Sequence, residues 1–252
     1  MDTLHLERMT SPEVGAALAA GFTTAVFAVG AVEQHGPHLP MFMDAEHGTR
    51  MAEEVARRYG HALVAPTIRV GCSDHHMSFP GSLTVRPETL EALCRDYCTS
   101  LARHGFTRIL IVPTHGGNFA PLRAMEDRLR ESVAPGARVL IYTDVMDLIA
   151  VWRRVAGEHL GLADRVGGHA DIAETSVMLA LHPALVRMDL AADGYRGLVD
   201  DAALARIIAD GLQSVAVNGI MGDARGATAE LGESCLAAVA DRMTAVFREA
   251  DA

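Results

Sequence analysis

Three short clusters of histidine and carboxylate, widely separated in a chain of 252 residues, offer the donor atoms that divalent cations prefer. The first is Val32-Glu33-Gln34-His35-Gly36-Pro37-His38-Leu39-Pro40, with Asp44 shortly after it. Glu33 and His35 are two apart, so an extended segment points both side chains the same way. A carboxylate and an imidazole converging at a strand end suit zinc, manganese or iron. The glycine and prolines that follow stiffen a loop able to return Asp44 to the same place. A solvated polar loop is the competing reading. The second cluster is Thr114-His115-Gly116-Gly117-Asn118, in which a histidine leaves a buried strand ahead of two glycines. Those glycines let a substrate approach backbone N–H groups closely; Asn118 reads as a helix N-cap.

The third cluster is Gly167-Gly168-His169-Ala170-Asp171-Ile172-Ala173-Glu174-Thr175-Ser176, at the entry to an apolar helix. Asp171 either caps that helix or is a ligand, and its position favours capping. Glu174 lies deeper in the apolar pattern, where a lone carboxylate is costly unless it meets a cation. Ligation is the better reading for Glu174. A turn-rich patch, Ser73-Asp74-His75-His76-Met77-Ser78-Phe79-Pro80-Gly81-Ser82, either lines a substrate pocket or is simply exposed.

The elements that must position these residues alternate between strand and helix. Strands are expected at Thr23–Gly30, Ala62–Pro66, Thr107–Pro113 and Arg138–Thr143. Helices are expected at Ala45–Tyr59, Pro87–His104, Ala120–Val133 and Asp144–Leu160. In the second of these, Leu90, Leu93, Tyr97 and Leu101 form the apolar face. The alternation implies an α/β fold with a largely parallel sheet and helices on both faces. Ligands in such folds bind beyond the carboxyl ends of the strands. Glu33-Gln-His follows the first strand and His115-Gly-Gly-Asn follows the strand ending at Pro113, as that rule requires. No repeat or compositional break divides the chain, so a single domain over 1–252 is expected.

Composition narrows the partners. Half of the residues are hydrophobic and 21% are charged, as in an ordinary globular protein. A formal charge of −10 without a Lys/Arg run argues against nucleic acid. The N-terminus lacks the pattern of a secretory signal, and no apolar run approaches the roughly 20 residues that span a bilayer. Cys72, Cys94, Cys98 and Cys235 do not form a disulfide framework, so reduced thiols in the cytoplasm are expected.

These motifs, taken together, resemble the creatininase family of metal-dependent amidohydrolases. Glu33-Gln-His-Gly-Pro-His-Leu-Pro with Asp44, His76-x-x-Phe-Pro-Gly-Ser, His115-Gly-Gly-Asn and His169-Ala-x-x-x-Glu174-Thr-Ser match in order. A later stretch, Gly222-Asp-Ala-Arg-Gly-Ala-Thr-Ala-Glu230, resembles the family's C-terminal signature. The resemblance implies a three-layer α/β/α fold, a two-metal site (Zn, Mn or Fe), hydrolysis of a C–N bond in a small amide, and a homo-oligomer, a hexamer being one form. By the same resemblance Glu33, His35, Asp44, His115 and Glu174 are the metal ligands, with Asp44 bridging. His169 matches a histidine that the family uses in proton transfer; Glu174 is expected to be catalytic as well as a ligand, and His76, Gly116, Gly117 and Asp171 are expected to contribute to substrate binding. The chain departs from the creatinine-hydrolysing members, which carry Tyr-Glu where Gly116-Gly117 stand and several tryptophans where it has only Trp152. Creatinine itself is therefore not the expected substrate. Other branches act on formamides, cyclic ketones or a peptide terminus. A metal-binding scaffold without turnover is the alternative from outside enzymology.

Overall fold

Beyond Thr24, the segment Ala25-Val-Phe-Ala-Val29 has no polar side chain, and it forms a strand buried on both faces. The structure, a computed structural model, describes residues 3–197 and 201–252. Its principal elements in chain order are α1 (Ser11–Ala19), β1 (Thr24–Val29), α2 (Met43–Tyr59), β2 (Ala62–Val64), α3 (Pro87–Arg103), β3 (Arg108–Pro113), α4 (Gly116–Ser132), β4 (Arg138–Ile141), α5 (Val145–Leu160), β5 (Val166–His169), α6 (Ile172–Leu181), α7 (Asp201–Asp210), β6 (Met221–Gly222) and α8 (Ala229–Asp251). Strands β2-β1-β3-β4 form one parallel sheet in that order.

Side-chain alternation along the strands sorts the core into two layers. Val26, Ala28, Val64, Leu110, Val112 and Leu140 face α2, α5, α6 and α8. Ala25, Phe27, Val29, Leu63, Ile109, Ile111, Val139 and Ile141 face α1, α3 and α4. Both faces of a parallel sheet are thus covered, which is the condition for its apolar strands to be stable. The three-layer α/β/α expectation is met.

Strand order also locates the site. From β1 the chain crosses to β2 on one side, whereas from β3 it crosses to β4 on the other. The carboxyl ends of β1 and β3 flank the point where the winding reverses, the usual crevice for a ligand.

Several local expectations need correction. Helix α4 starts at Gly116, not Ala120, because its two glycines are already helical. In α3, Leu93 is 38% exposed; Cys94 and Cys98 turn inward with Leu90 and Leu101. Small, polarizable thiols fill that face where bulkier side chains were expected. Residues 166–169 form a short antiparallel pair with 221–222, which no periodicity announced. Among the described residues, no helix is long and apolar enough to cross a membrane.

Candidate metal centre

The chain delivers three sets of donors to the β1/β3 crevice. Glu33 and His35 lie in the segment that leaves β1, and Asp44 is in the first turn of α2. Helix α2 reaches β1 because residue 30 is glycine: a Cβ there would sit 2.7 Å from both Ala45 Cα and the Asp44 carbonyl. Thr114 Oγ1, at the end of β3, donates to that same Asp44 carbonyl at 2.8 Å. His115 follows directly. Glu174 comes from α6, which follows β5 after a left-handed turn at Ala170 (φ +52°). Such a conformation is unfavourable for a residue with a Cβ; here the Ala170 N–H donates to Glu174 Oε2 at 2.5 Å.

The donors form two sets that share Asp44. His115 Nδ1 lies 3.2 Å from Glu33 Oε1 and 3.4 Å from Asp44 Oδ2. His35 Nε2 lies 3.6 Å from Asp44 Oδ1 and 3.7 Å from Glu174 Oε2. Each set offers atoms within 4.8 Å of one another, as does a third that joins His169 to Glu33 and His35. All of these side chains are buried.

The donor chemistry fits cations. Glu33 Oε1 and Oε2, His35 Nε2 and Asp44 Oδ2 are buried without any hydrogen-bond partner, although buried polar atoms are normally satisfied. The opposite ring nitrogens are occupied. His35 Nδ1 donates to the Glu33 carbonyl at 3.1 Å, and His115 Nε2 donates to the Cys72 carbonyl at 3.1 Å. A backbone acceptor on the far nitrogen fixes the tautomer that leaves the near nitrogen free for a metal.

Three carboxylates buried together shift the protonation of the neighbouring rings. Burial opposes charge on His35, but Asp44, Glu174 and Glu33 hold its pKa up to about 10. His115 is likewise raised well above its ordinary value, with Glu33 and Asp44 prevailing over burial. Glu174 is pushed up by burial and by Asp44, against the pull of His35. Asp44 is held low by His35 and His115 in spite of its burial. Protons thus neutralise a site whose excess negative charge would equally be neutralised by divalent cations. His169 differs: burial and the neighbouring His35 keep it neutral. Its Nδ1 lies 3.8 Å from Glu33 Oε1. Its Nε2 lies 3.0 Å from the Gln34 carbonyl and 2.9 Å from Gln34 Nε2, so this nitrogen has a partner with or without its proton.

Other candidates take different places. Asp171, expected in substrate binding, caps α6. Its carboxylate accepts from Ala173 and Glu174 N–H, and also from Gly167 and Gly168 N–H. Four backbone donors leave it nothing for a substrate. His76, also expected at the substrate, is buried behind Glu33, with Nε2 3.2 Å from Glu33 Oε1. Gly117 has no room for a side chain: a Cβ would lie 2.3 Å from the Cys72 carbonyl and 2.4 Å from His115 Nε2. That position cannot supply a ligand here. Gly116 borders open space. Asn118 is not an N-cap; the side chain accepts from Cys72 N–H and donates to the carbonyls of Val29 and Gly30, pinning the end of β1. Sequence reasoning gave no role to Gln34 or to His38, which hydrogen-bonds Thr175 beside Glu174 at 2.8 Å. Both lie inside the first motif, the only signal that could have marked them.

The family model described as Creatininase: Creatinine amidohydrolase matches residues 7–247. The chain is 31% identical over 214 residues to the mycofactocin precursor peptide peptidase of Mycolicibacterium smegmatis, covering 83% of this chain and 78% of that one. It is 33% identical over 202 residues to the creatinine amidohydrolase of Pseudomonas putida, covering 76% of each. The solved structure "Creatininase Mn" superposes with a TM-score of 0.75 at 28% identity, covering 98% of both chains. A match that runs from residue 7 to residue 247, through every cluster at the β1/β3 crevice, makes this chain a member of the creatininase family of hydrolases.

Proposed function

We propose that the protein is a two-metal amidohydrolase that cleaves a C–N bond in a small cyclic or linear amide other than creatinine. One divalent cation is held by Glu33, Asp44 and His115, the other by His35, Asp44 and Glu174. The observation that carries this reading is Asp44, which turns Oδ2 to His115 and Oδ1 to His35. Zinc, manganese and iron all suit such mixed nitrogen and oxygen donors. Bound there, the cations supply Lewis acidity toward a carbonyl oxygen and lower the pKa of a water.

The chain's own residues do the rest. His35 and His115 stay neutral ligands because their far nitrogens donate to backbone carbonyls. His169, at the edge of the cluster and neutral with its Nε2–H toward the Gln34 carbonyl, takes the attacking water's proton at Nδ1 and passes it to the departing amide nitrogen, a transfer that typically contributes 10²–10⁴-fold. Glu174 combines its ligand role with a hydrogen bond from the N–H of Ala170, the residue that follows His169 in the chain. The open space at Gly116 supports substrate entry on that side, and the lack of a Tyr-Glu pair at Gly116-Gly117 supports a substrate other than creatinine. The four buried free thiols support a cytoplasmic location. Apolar side chains exposed at Met77, Ile208 and Val217 support a homo-oligomer.

Elemental analysis of the purified protein, followed by a hydrolysis screen of lactams, formamides and short peptides, tests the reading. Turnover of a lactam or formamide that stops on chelation is the expected result. Turnover confined to peptides would replace the small-amide substrate with a peptide terminus.

A further inference from the structure

Between two candidate ligands the chain buries a carboxamide whose surroundings allow one orientation. Gln34 Oε1 accepts from the Gly36 N–H at 3.0 Å, and Gln34 Nε2 lies 3.3 Å from the Gly219 carbonyl, 185 positions away. Exchanging the two ends would set donor against donor at Gly36 and acceptor against acceptor at Gly219. With the amino group so placed, Nε2 donates to His76 Nδ1 at 2.9 Å. A neutral imidazole that accepts at Nδ1 carries its proton on Nε2. That nitrogen of His76 faces Glu33 Oε1 at 3.2 Å. The second Nε2 hydrogen of Gln34 is left for the Gly219 carbonyl. Gly219 (φ +76°) makes the seat possible, since a Cβ there would fall 1.9 Å from Gln34 Oε1.

We propose that Gln34 is a positioning residue: its carboxamide fixes His76 in the Nε2–H tautomer, which sets the protonated edge of that ring 3.2 Å from Glu33 Oε1 and electrostatically favours the ionised Glu33 carboxylate that a cation needs. The cation half of this proposal rests on the reading of Glu33 as a ligand, whereas the tautomer does not. Groups that orient a ligand in this way typically change metal affinity or activity 10–100-fold when removed.

The test labels histidine with ¹⁵N and reads the ring-nitrogen shifts in the metal-free protein and with Zn²⁺, using His76→Gln to assign the His76 signals. Wild type should show His76 protonated on Nε2 only, a measurement that needs no other variant. Gln34→Leu should move both ring nitrogens toward the averaged values of mixed tautomers. It should also weaken Zn²⁺ binding 10–100-fold in chelator competition. Gly219→Ala, which displaces the carboxamide without removing it, should give the same ring signature if Gln34→Leu does not fold. A wild-type His76 protonated on Nδ1 overturns the proposal, as does a Gln34→Leu protein with an unchanged His76 pattern. Mixed tautomers with wild-type Zn²⁺ affinity would overturn it too. Wild-type protein that binds no Zn²⁺ would count against the metal reading itself, while the metal-free spectra would still decide the tautomer.

Discussion

Raising the pH should strengthen cation binding steeply, because the ligands must first shed protons. In the metal-free protein the surrounding carboxylates hold His35 up to about 10 against burial, and His115 well above its ordinary value. At pH 8 the His35 ring is then imidazolium, whereas a ring titrating near the usual value of about 6.5 would be almost wholly neutral. A metal-ligating imidazole is neutral, so His35 must release its proton when a cation binds. By linkage, every proton released raises the apparent binding constant about tenfold per pH unit, or about 1.4 kcal/mol. His35 alone predicts about one proton released per pair of cations at pH 8, and about a tenfold gain in the overall constant per unit, and the upward shift of His115 acts in the same direction. The same shift has a stability consequence with the opposite slope. A raised histidine stabilises the metal-free fold fully below its unfolded value near 6.5 and loses that contribution as the pH rises through about 10. Titration calorimetry with Zn²⁺ or Mn²⁺, repeated in buffers of different ionisation enthalpy, counts the protons directly. Release of fewer than about half a proton per pair at pH 8 would refute the claim that the carboxylates keep His35 charged.

Three further outcomes follow from the same site. Exhaustive chelation should abolish turnover and lower the melting temperature, because cations that bind only the folded state stabilise it by mass action; differential scanning fluorimetry with and without chelator checks this. His169→Ala should retain its metal while losing roughly 10²–10⁴ in rate, whereas Asp44→Ala should lose at least one cation; metal analysis beside kinetics separates the two, and metal loss from His169→Ala would remove that residue from proton transfer. Asn118→Ala should destabilise the fold by about 1–3 kcal/mol through the buried Cys72 N–H and the Val29 and Gly30 carbonyls it leaves unpaired, measured by denaturant unfolding.

Much of this architecture is legible in the residues. Buried strands such as Ile109–Val112 have no polar side chain to hide. Helix α2 announces itself by its apolar spacing, so the alternation of strand and helix and the placing of the clusters at strand ends could be read directly. What could not be read depends on close approach or tertiary partners. Gly116 and Gly117 look like a loop until Gly117 is seen pressed against the Cys72 carbonyl as the first turn of α4. Asn118 has the chemistry of a cap, but its partners are 46, 88 and 89 positions away. Leu93 fits the apolar face of α3 as well as Cys94 does; packing against the sheet, not periodicity, decides between them. Likewise Asp171 and Glu174 are both carboxylates at one helix entry. Only the four N–H groups around Asp171 and the His35 ring beside Glu174 separate a cap from a ligand.

Both proposed cation sites depend on Asp44, which offers one carboxylate oxygen to each. Anomalous diffraction from crystals of the Mn²⁺-loaded protein, collected on both sides of the manganese absorption edge, tests this arrangement most directly. Two manganese peaks per chain are expected, one among Glu33, Asp44 and His115 and the other among His35, Asp44 and Glu174, with Asp44 touching both. A single peak, or peaks away from Asp44, would contradict it.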